Sequence, residues 1–204
     1  MRRSLAVLFF FLCSAAPGYA TDVSRPLILI AKPELHDPLY GASILVVRPF
    51  GPEQHVGFIV NRPTDMTLGT LFPDHEPSQK VADPVYLGGP VDVQALFVLV
   101  RRVDPPGGSS LELMPGLYAV LDAPTLDEVI ESQPRPERAR FVAGLVLWQP
   151  GELQEEIQQG AWYVREADPA LVIRDPQGLW EELVREERAN GAPPRSLFRI
   201  RYVY

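Results

Sequence analysis

A succession of short apolar runs, each closed off by Pro, Gly or Asp, constrains this chain more than any other feature. The runs cover residues 27–31, 43–48, 56–61, 85–87, 95–101, 117–121 and 140–148. Such lengths suit strands, whereas buried helices usually run longer. Several runs are continuous and do not alternate, which predicts strands buried on both faces. Phe50-Gly51-Pro52-Glu53-Gln54 reads as the hairpin connection between the second and third strands. The 204-residue chain holds 22 prolines, yet 46% of it is hydrophobic. The prolines therefore read as sharp strand ends in a folded chain.

Helical signals are fewer. Thr125 and Glu128 fit a capping box opening a helix over 126–132. Residues 152–159 place Leu153 and Ile157 four apart on one face, and Gly160 is a natural stop. Asp168-Pro169 fits an N-cap followed by a first-turn proline. The clearest helix covers 177–190, with Leu179, Trp180, Leu183 and Val184 as its apolar stripe, Glu181 and Arg185 able to pair, and Gly191 at its end. Residues 72–84 and 103–110 read as loops. Strands outnumber helices and do not alternate with them regularly, so the class is α+β.

The ends carry separate information. Arg2 and Arg3, the apolar run 5–12 and Gly18-Tyr19-Ala20 form the three parts of a secretory signal peptide, cleaved after Ala20. The apolar run is too short to span a bilayer comfortably. Losing Arg2 and Arg3 takes the formal net charge from −7 to −9. An acidic chain of this kind does not favour nucleic acid, which needs clustered cations. The only cysteine, Cys13, leaves with the signal, so the mature chain folds without disulfides. The expected organisation is a signal at 1–20, one domain at 21–192 and a tail at 193–204. In that tail Phe198, Ile200, Tyr202 and Tyr204 alternate with Arg199, Arg201 and Val203, the pattern of an added edge strand or docking segment.

Four strings stand in order along the chain: Ala31-Lys32-Pro33-Glu34-Leu35-His36-Asp37-Pro38, Asn61-Arg62-Pro63-Thr64, Leu87-Gly88-Gly89-Pro90-Val91 and Trp148-Gln149-Pro150-Gly151-Glu152-Leu153. In this order and spacing they resemble the AlgH/YqgE family of small bacterial proteins, over roughly residues 27–188. The resemblance implies a single domain whose mixed sheet curls into a pseudo-barrel. It also brings the family label, regulator of transcription, but no settled biochemical activity. The usual member starts near Leu27 and is cytosolic, so the N-terminal extension is the main departure.

Within these strings, Glu34, His36 and Asp37 are the densest titratable cluster, and a histidine beside carboxylates can move protons. The competing reading has Asp37 bonding nearby amides to close a turn. Asn61 and Arg62 end an apolar strand, where ligand-facing groups often stand. Arg62 could grip a carboxylate or phosphate, or pair internally with Asp37 or Glu34. Asp65 would cap a short helix over 66–71. Gly88 and Gly89 lack the spacing of a nucleotide loop, so positive backbone angles or close strand approach explain them better. Trp148 reads as a core plug. His36, His55 and His75 stand about twenty residues apart with no ligand pairing, which predicts no metal. No serine sits on a Gly-x-Ser-x-Gly turn, which leaves a Ser-His-Asp nucleophile without support.

The reading that follows is an exported, non-enzymatic binding or regulatory module. Its site would be built from Glu34, His36, Asp37, Asn61, Arg62, Gly88 and Gly89, for a small molecule or protein, without cofactor or direct nucleic-acid contact, and with no stable membrane span after cleavage. One rival is a hydrolase-like enzyme using His36 with Asp37 or Glu34. Another is a cytosolic or N-terminally anchored regulator of transcription, against which export and acidic charge argue.

Overall fold

The computed structural model describes residues 21–132 and 139–191; the expected signal and tail lie outside them. In chain order the elements are β1 (Leu27–Ala31), β2 (Ile44–Pro49), β3 (His55–Ile59), β4 (Pro63–Thr67), α1 (Leu68–Leu71), α2 (Glu76–Gln79), β5 (Pro84–Leu87), β6 (Val91–Arg101), β7 (Ser110–Met114), β8 (Leu117–Val120), α3 (Ala123–Ser132), β9 (Ala139–Trp148), α4 (Glu152–Gln158), β10 (Trp162–Glu166), α5 (Pro169–Val172) and α6 (Leu179–Gly191). The main path of the sheet runs β10-β1-β2-β3-β9-β6-β8-β7, with β4 and β5 attached at β9. Every pairing is antiparallel except β5 with β9. The sheet curls into a half-barrel, and Arg48 on β2 donates to the Glu112 carbonyl on β7 across the gap. The fold is a single α+β domain.

Continuous apolar runs mark strands buried on both faces, as expected. In β1, Ile28 and Ile30 join the core inside the curl with Phe58, Leu99 and Val142. Leu29 and Ala31 join a second core with Trp148 and Leu153. Helices α5 and α6 cover the first core through Leu171, Leu183 and Val184, and α4 covers the second through Leu153. A third core joins Leu68 of α1 and Val129 of α3 to Val98 and Val100 of β6.

Strand β9 is the axis of the sheet. Val142 and Ala143 pair with Tyr86 and Leu87 on one edge and with Phe97 and Leu96 on the other. Since β5 and β6 flank β9 on opposite sides, the Gly88-Gly89-Pro90 connection must pass over that strand. It crosses at Gly144 and Leu145, where three glycines remove the side chains that would collide. A Cβ on Gly89 would overlap the Leu145 carbonyl and stand 2.7 Å from the Val146 nitrogen. Gly144 has φ +76°, and a Cβ there would stand 2.5 Å from the Gly89 oxygen. Of the two roles the sequence allows for Gly88 and Gly89, close approach is the one used; neither has positive φ.

Several local expectations need correction. β7, β10 and α2 arise where no element is expected from the sequence. Residues 63–67 form β4, so the helix expected over 66–71 shortens to α1, and Thr67 caps it by accepting from the Thr70 amide, so Asp65 is not the cap. Helix α3 starts earlier than the Thr125 capping box implies: Asp122 Oδ1 accepts from the Thr125 amide at 3.1 Å and from its hydroxyl at 3.0 Å. The Glu181–Arg185 pair gives way to Arg174–Glu182 at 2.8 Å. The Asp168 cap and the Gly160 stop are present, with Asp168 accepting from Ala170 at 2.8 Å and Gly160 at φ +82°.

Candidate functional site

Asp37, Asn61 and Arg62 come together, and they converge on backbone. Asp37 Oδ1 accepts from the Leu39 and Tyr40 amides, each at 2.8 Å, closing the turn after β1. Asn61 Nδ2 donates to the Ala42 carbonyl at 2.9 Å while its Oδ1 accepts from the Ile44 amide at 2.8 Å. The Arg62 guanidinium forks over two more carbonyls, Pro38 at 3.0 Å and Gly41 at 2.7 Å. The loop they hold needs such support. Ala42 sits at φ +58°, a left-handed conformation that costs a non-glycine residue about 1–2 kcal/mol. The internal ion pair of Arg62 with Asp37 or Glu34 is absent: its donors go to carbonyls, and Glu34 faces Arg188 at 3.9 Å. His36 is exposed and makes no side-chain hydrogen bond or ion pair among the described residues. Among the described residues no side-chain hydrogen bond or ion pair links His36 to Glu34 or Asp37.

Gly88 continues the same seam. The Ile59 amide donates to its carbonyl at 2.7 Å, and its own amide donates to Ala143 at 2.8 Å. Trp148 is a core plug, 3% exposed, against a Gly57 whose Cβ would stand 2.9 Å from the indole. Trp148 and Trp162 both donate their indole N–H to Glu156 Oε2, at 3.1 and 2.8 Å. The Tyr40 ring meets Trp162 edge-on, and burial, then the Glu156 charge, push the Tyr40 phenol above its ordinary pKa.

Cavities among the described residues also lie away from this cluster. A cavity of about 460 Å³ opens between the segment before β1, the β2–β3 turn and the start of α4. Ser24, Glu53, Gln54 and Gln154 give it polar groups, and among the described residues no Lys or Arg lines it. His55 also lines it and is 5% exposed. The His55 Nε2–H donates to the Val23 carbonyl at 2.8 Å, with Nδ1 on the other side of the ring. That Nδ1 is buried with no partner among the described residues.

A second cavity, about 260 Å³, holds Arg140 with Tyr86, Asp83 and Asp175. Arg140 is 5% exposed and donates to the Val60 and Arg174 carbonyls, with its guanidinium 4.3 Å from the Tyr86 ring centroid. Burial holds the Arg140 pKa below its ordinary value and raises that of the Asp83 carboxyl. The only hint in the sequence is a lone cation opening an otherwise apolar strand. A third cavity, about 250 Å³, lies between α2 and α3 and is mostly apolar.

A curled mixed sheet with helices on both faces, and signature residues spent on its seams, defines the class of fold. The chain belongs to the AlgH-like family, whose model matches residues 28–191. It is 32% identical over 172 residues to a UPF0301 protein of Streptomyces coelicolor, covering 80% of this chain and 86% of that one. A UPF0301 protein of Ruegeria pomeroyi is 34% identical over 165 residues, covering 78% and 88%. Among solved structures, the AlgH protein of Pseudomonas aeruginosa aligns with TM-score 0.65 at 24% identity, over 93% of this chain and all of that one. A Corynebacterium diphtheriae protein aligns with TM-score 0.65 at 23% identity, over 84% and 88%. Identities at this level speak for the fold alone.

Proposed function

We propose that the protein is an exported binding module that takes a small neutral or cationic molecule in the cavity lined by His55. The cavity itself carries this reading: about 460 Å³ falls within the range of small-molecule sites. A wall with Glu53 and, among the described residues, no Lys or Arg favours neutral or cationic guests. Binding here needs no chemical conversion, and a regulatory role would act through occupancy. Direct DNA contact is no part of it, given a net charge of −9 once Arg2 and Arg3 of the −7 chain are removed. Export rests on the N-terminal signal pattern. Cleavage after Ala20 would place the new terminus at Thr21, two residues before the cavity-lining Val23.

Two measurements test the reading. N-terminal sequencing of a periplasmic fraction is expected to begin at Thr21; intact chain in the cytosol would refute export. Titration of labelled protein with small amines and polyols, followed by NMR, is expected to shift the Ser24, Gly51, Gln54 and Gly151 amides. A Gln154→Trp variant, which fills the cavity, is expected to lose those shifts. Shifts elsewhere, or none, would refute the site.

A further inference from the structure

The cavity between α2 and α3 holds three side chains in a chemically meaningful order. Ser78 is 2% exposed, and its hydroxyl lies 2.8 Å from His75 Nδ1. On the far side of the ring, His75 Nε2 lies 3.4 Å from Asp127 Oδ1. Ser43, also buried, gives its hydroxyl to a backbone carbonyl, Tyr40 O, at 2.6 Å. The imidazole is the one side-chain hydrogen-bond partner of Ser78 Oγ among the described residues.

The surroundings suit chemistry on an apolar acyl group. Phe72, Leu96, Leu121 and Leu126 line the same cavity of about 250 Å³. Phe72 and Leu121 are exposed at 43% and 47%, so an apolar surface leads to it. Gln79 fixes the approach to His75 by donating to the carbonyls of Gly69, Phe72 and Pro73 at 3.1–3.2 Å. Ala123, the first residue of α3, lines the cavity, which brings the positive end of that helix dipole to the site. The nearby Asp122 carboxylate is committed to Thr125 and Ser109, and these hydrogen bonds hold its pKa low. The lack of a Gly-x-Ser-x-Gly turn therefore removes one scaffold for this chemistry and not the constellation itself.

We infer that this chain hydrolyses small esters of apolar acids at Ser78. Ser78 Oγ attacks the acyl carbon as His75 Nδ1 takes the hydroxyl proton. The carbon–oxygen bond to the leaving alcohol breaks, and His75 returns the proton to that alcohol. Water then attacks the acyl-Ser78 ester, giving a proton to His75; the acid departs and Ser78 recovers its proton. One ester and one water become one acid and one alcohol. Asp127 is a positioning residue that orients the imidazole and faces the charge formed on it. This cavity is separate from the one lined by His55, and either can act without the other.

The test uses the full chain with p-nitrophenyl butyrate and a fluorophosphonate probe. Intact-mass analysis is expected to find one probe per chain, mapped to Ser78. Release of p-nitrophenol is expected to fall by about 100-fold or more in Ser78→Ala and in His75→Gln. Asp127→Asn is expected to lower kcat while leaving KM in place, which a merely structural role would not do. Absence of label on Ser78 in the wild-type chain would overturn the inference without any variant having to fold. Wild-type ester hydrolysis by Ser78→Ala would overturn it as well.

Discussion

Gly89→Ala is expected to destabilise the protein by about 3 kcal/mol or more, lowering Tm by roughly 10 °C for a domain of this size. The reason is the crossing of β9. The chain leaves β5 on one edge of that strand and enters β6 on the other, within the three residues Gly88, Gly89 and Pro90. A methyl on Gly89 meets backbone only: the Leu145 carbonyl and the Val146 nitrogen. Those atoms belong to the central strand and cannot swing aside as a side chain would. Gly107→Ala offers the comparison, because its Cβ would meet nothing within 4 Å. Its φ of +88° makes that substitution strained, so it is expected to cost about 1–2 kcal/mol. Differential scanning calorimetry of both variants reads the difference. Equal losses would contradict the crossing as the source of the effect.

Arg140→Met is expected to cost about 2–5 kcal/mol, read as a lower urea midpoint with the m-value retained. Methionine keeps much of the aliphatic volume and removes the donors. Two carbonyls then lose their partner, Val60 at the end of β3 and Arg174 between α5 and α6. Left unpaired, the buried Val60 carbonyl costs about 1–3 kcal/mol, and the part-buried Arg174 carbonyl less. The stacking of the guanidinium on Tyr86 goes with it. Arg140→Lys keeps the charge, but a single ammonium cannot fork to both carbonyls, so it is expected to recover only part of the loss. Full recovery by lysine would mean that charge, and not the fork, holds these segments together.

The sequence was most legible where burial is complete. β1, β3 and β8 are buried along their whole length, and each is an unmistakable apolar run or nearly so. β4 reads Pro-Thr-Asp-Met-Thr and is half exposed, so its backbone pairing with β5 leaves no apolar trace. β10 ends one flank of the main sheet path, and its Arg165 pairs with Glu186 and Glu187 of α6, a partnership no local pattern announces. The α3 start was legible in hindsight: Pro124 suits the first turn of a helix, which argues for Asp122 as cap over Thr125. For the candidate site, residue type alone does not reveal the bonding partners. Arg62 and Asn61 look like ligand-facing groups, but their partners lie 17 to 24 residues back in the chain, in a loop whose need for support only its folded shape reveals. His75 and Ser78 are close in sequence, yet Asp127 reaches them only because α2 packs on α3.

The central claim is that the family's signature residues are spent on holding the backbone, which leaves function to the cavities. Native-state amide hydrogen exchange at Leu39, Tyr40 and Ile44 tests it most directly. These three amides are the ones donated to Asp37 and Asn61. If the side chains are committed as described, all three exchange at least ~100-fold more slowly than an unstructured peptide. Exchange at the unstructured rate, with the β1 and β3 amides still protected, would show that Asp37 and Asn61 are free for another task and would contradict the account.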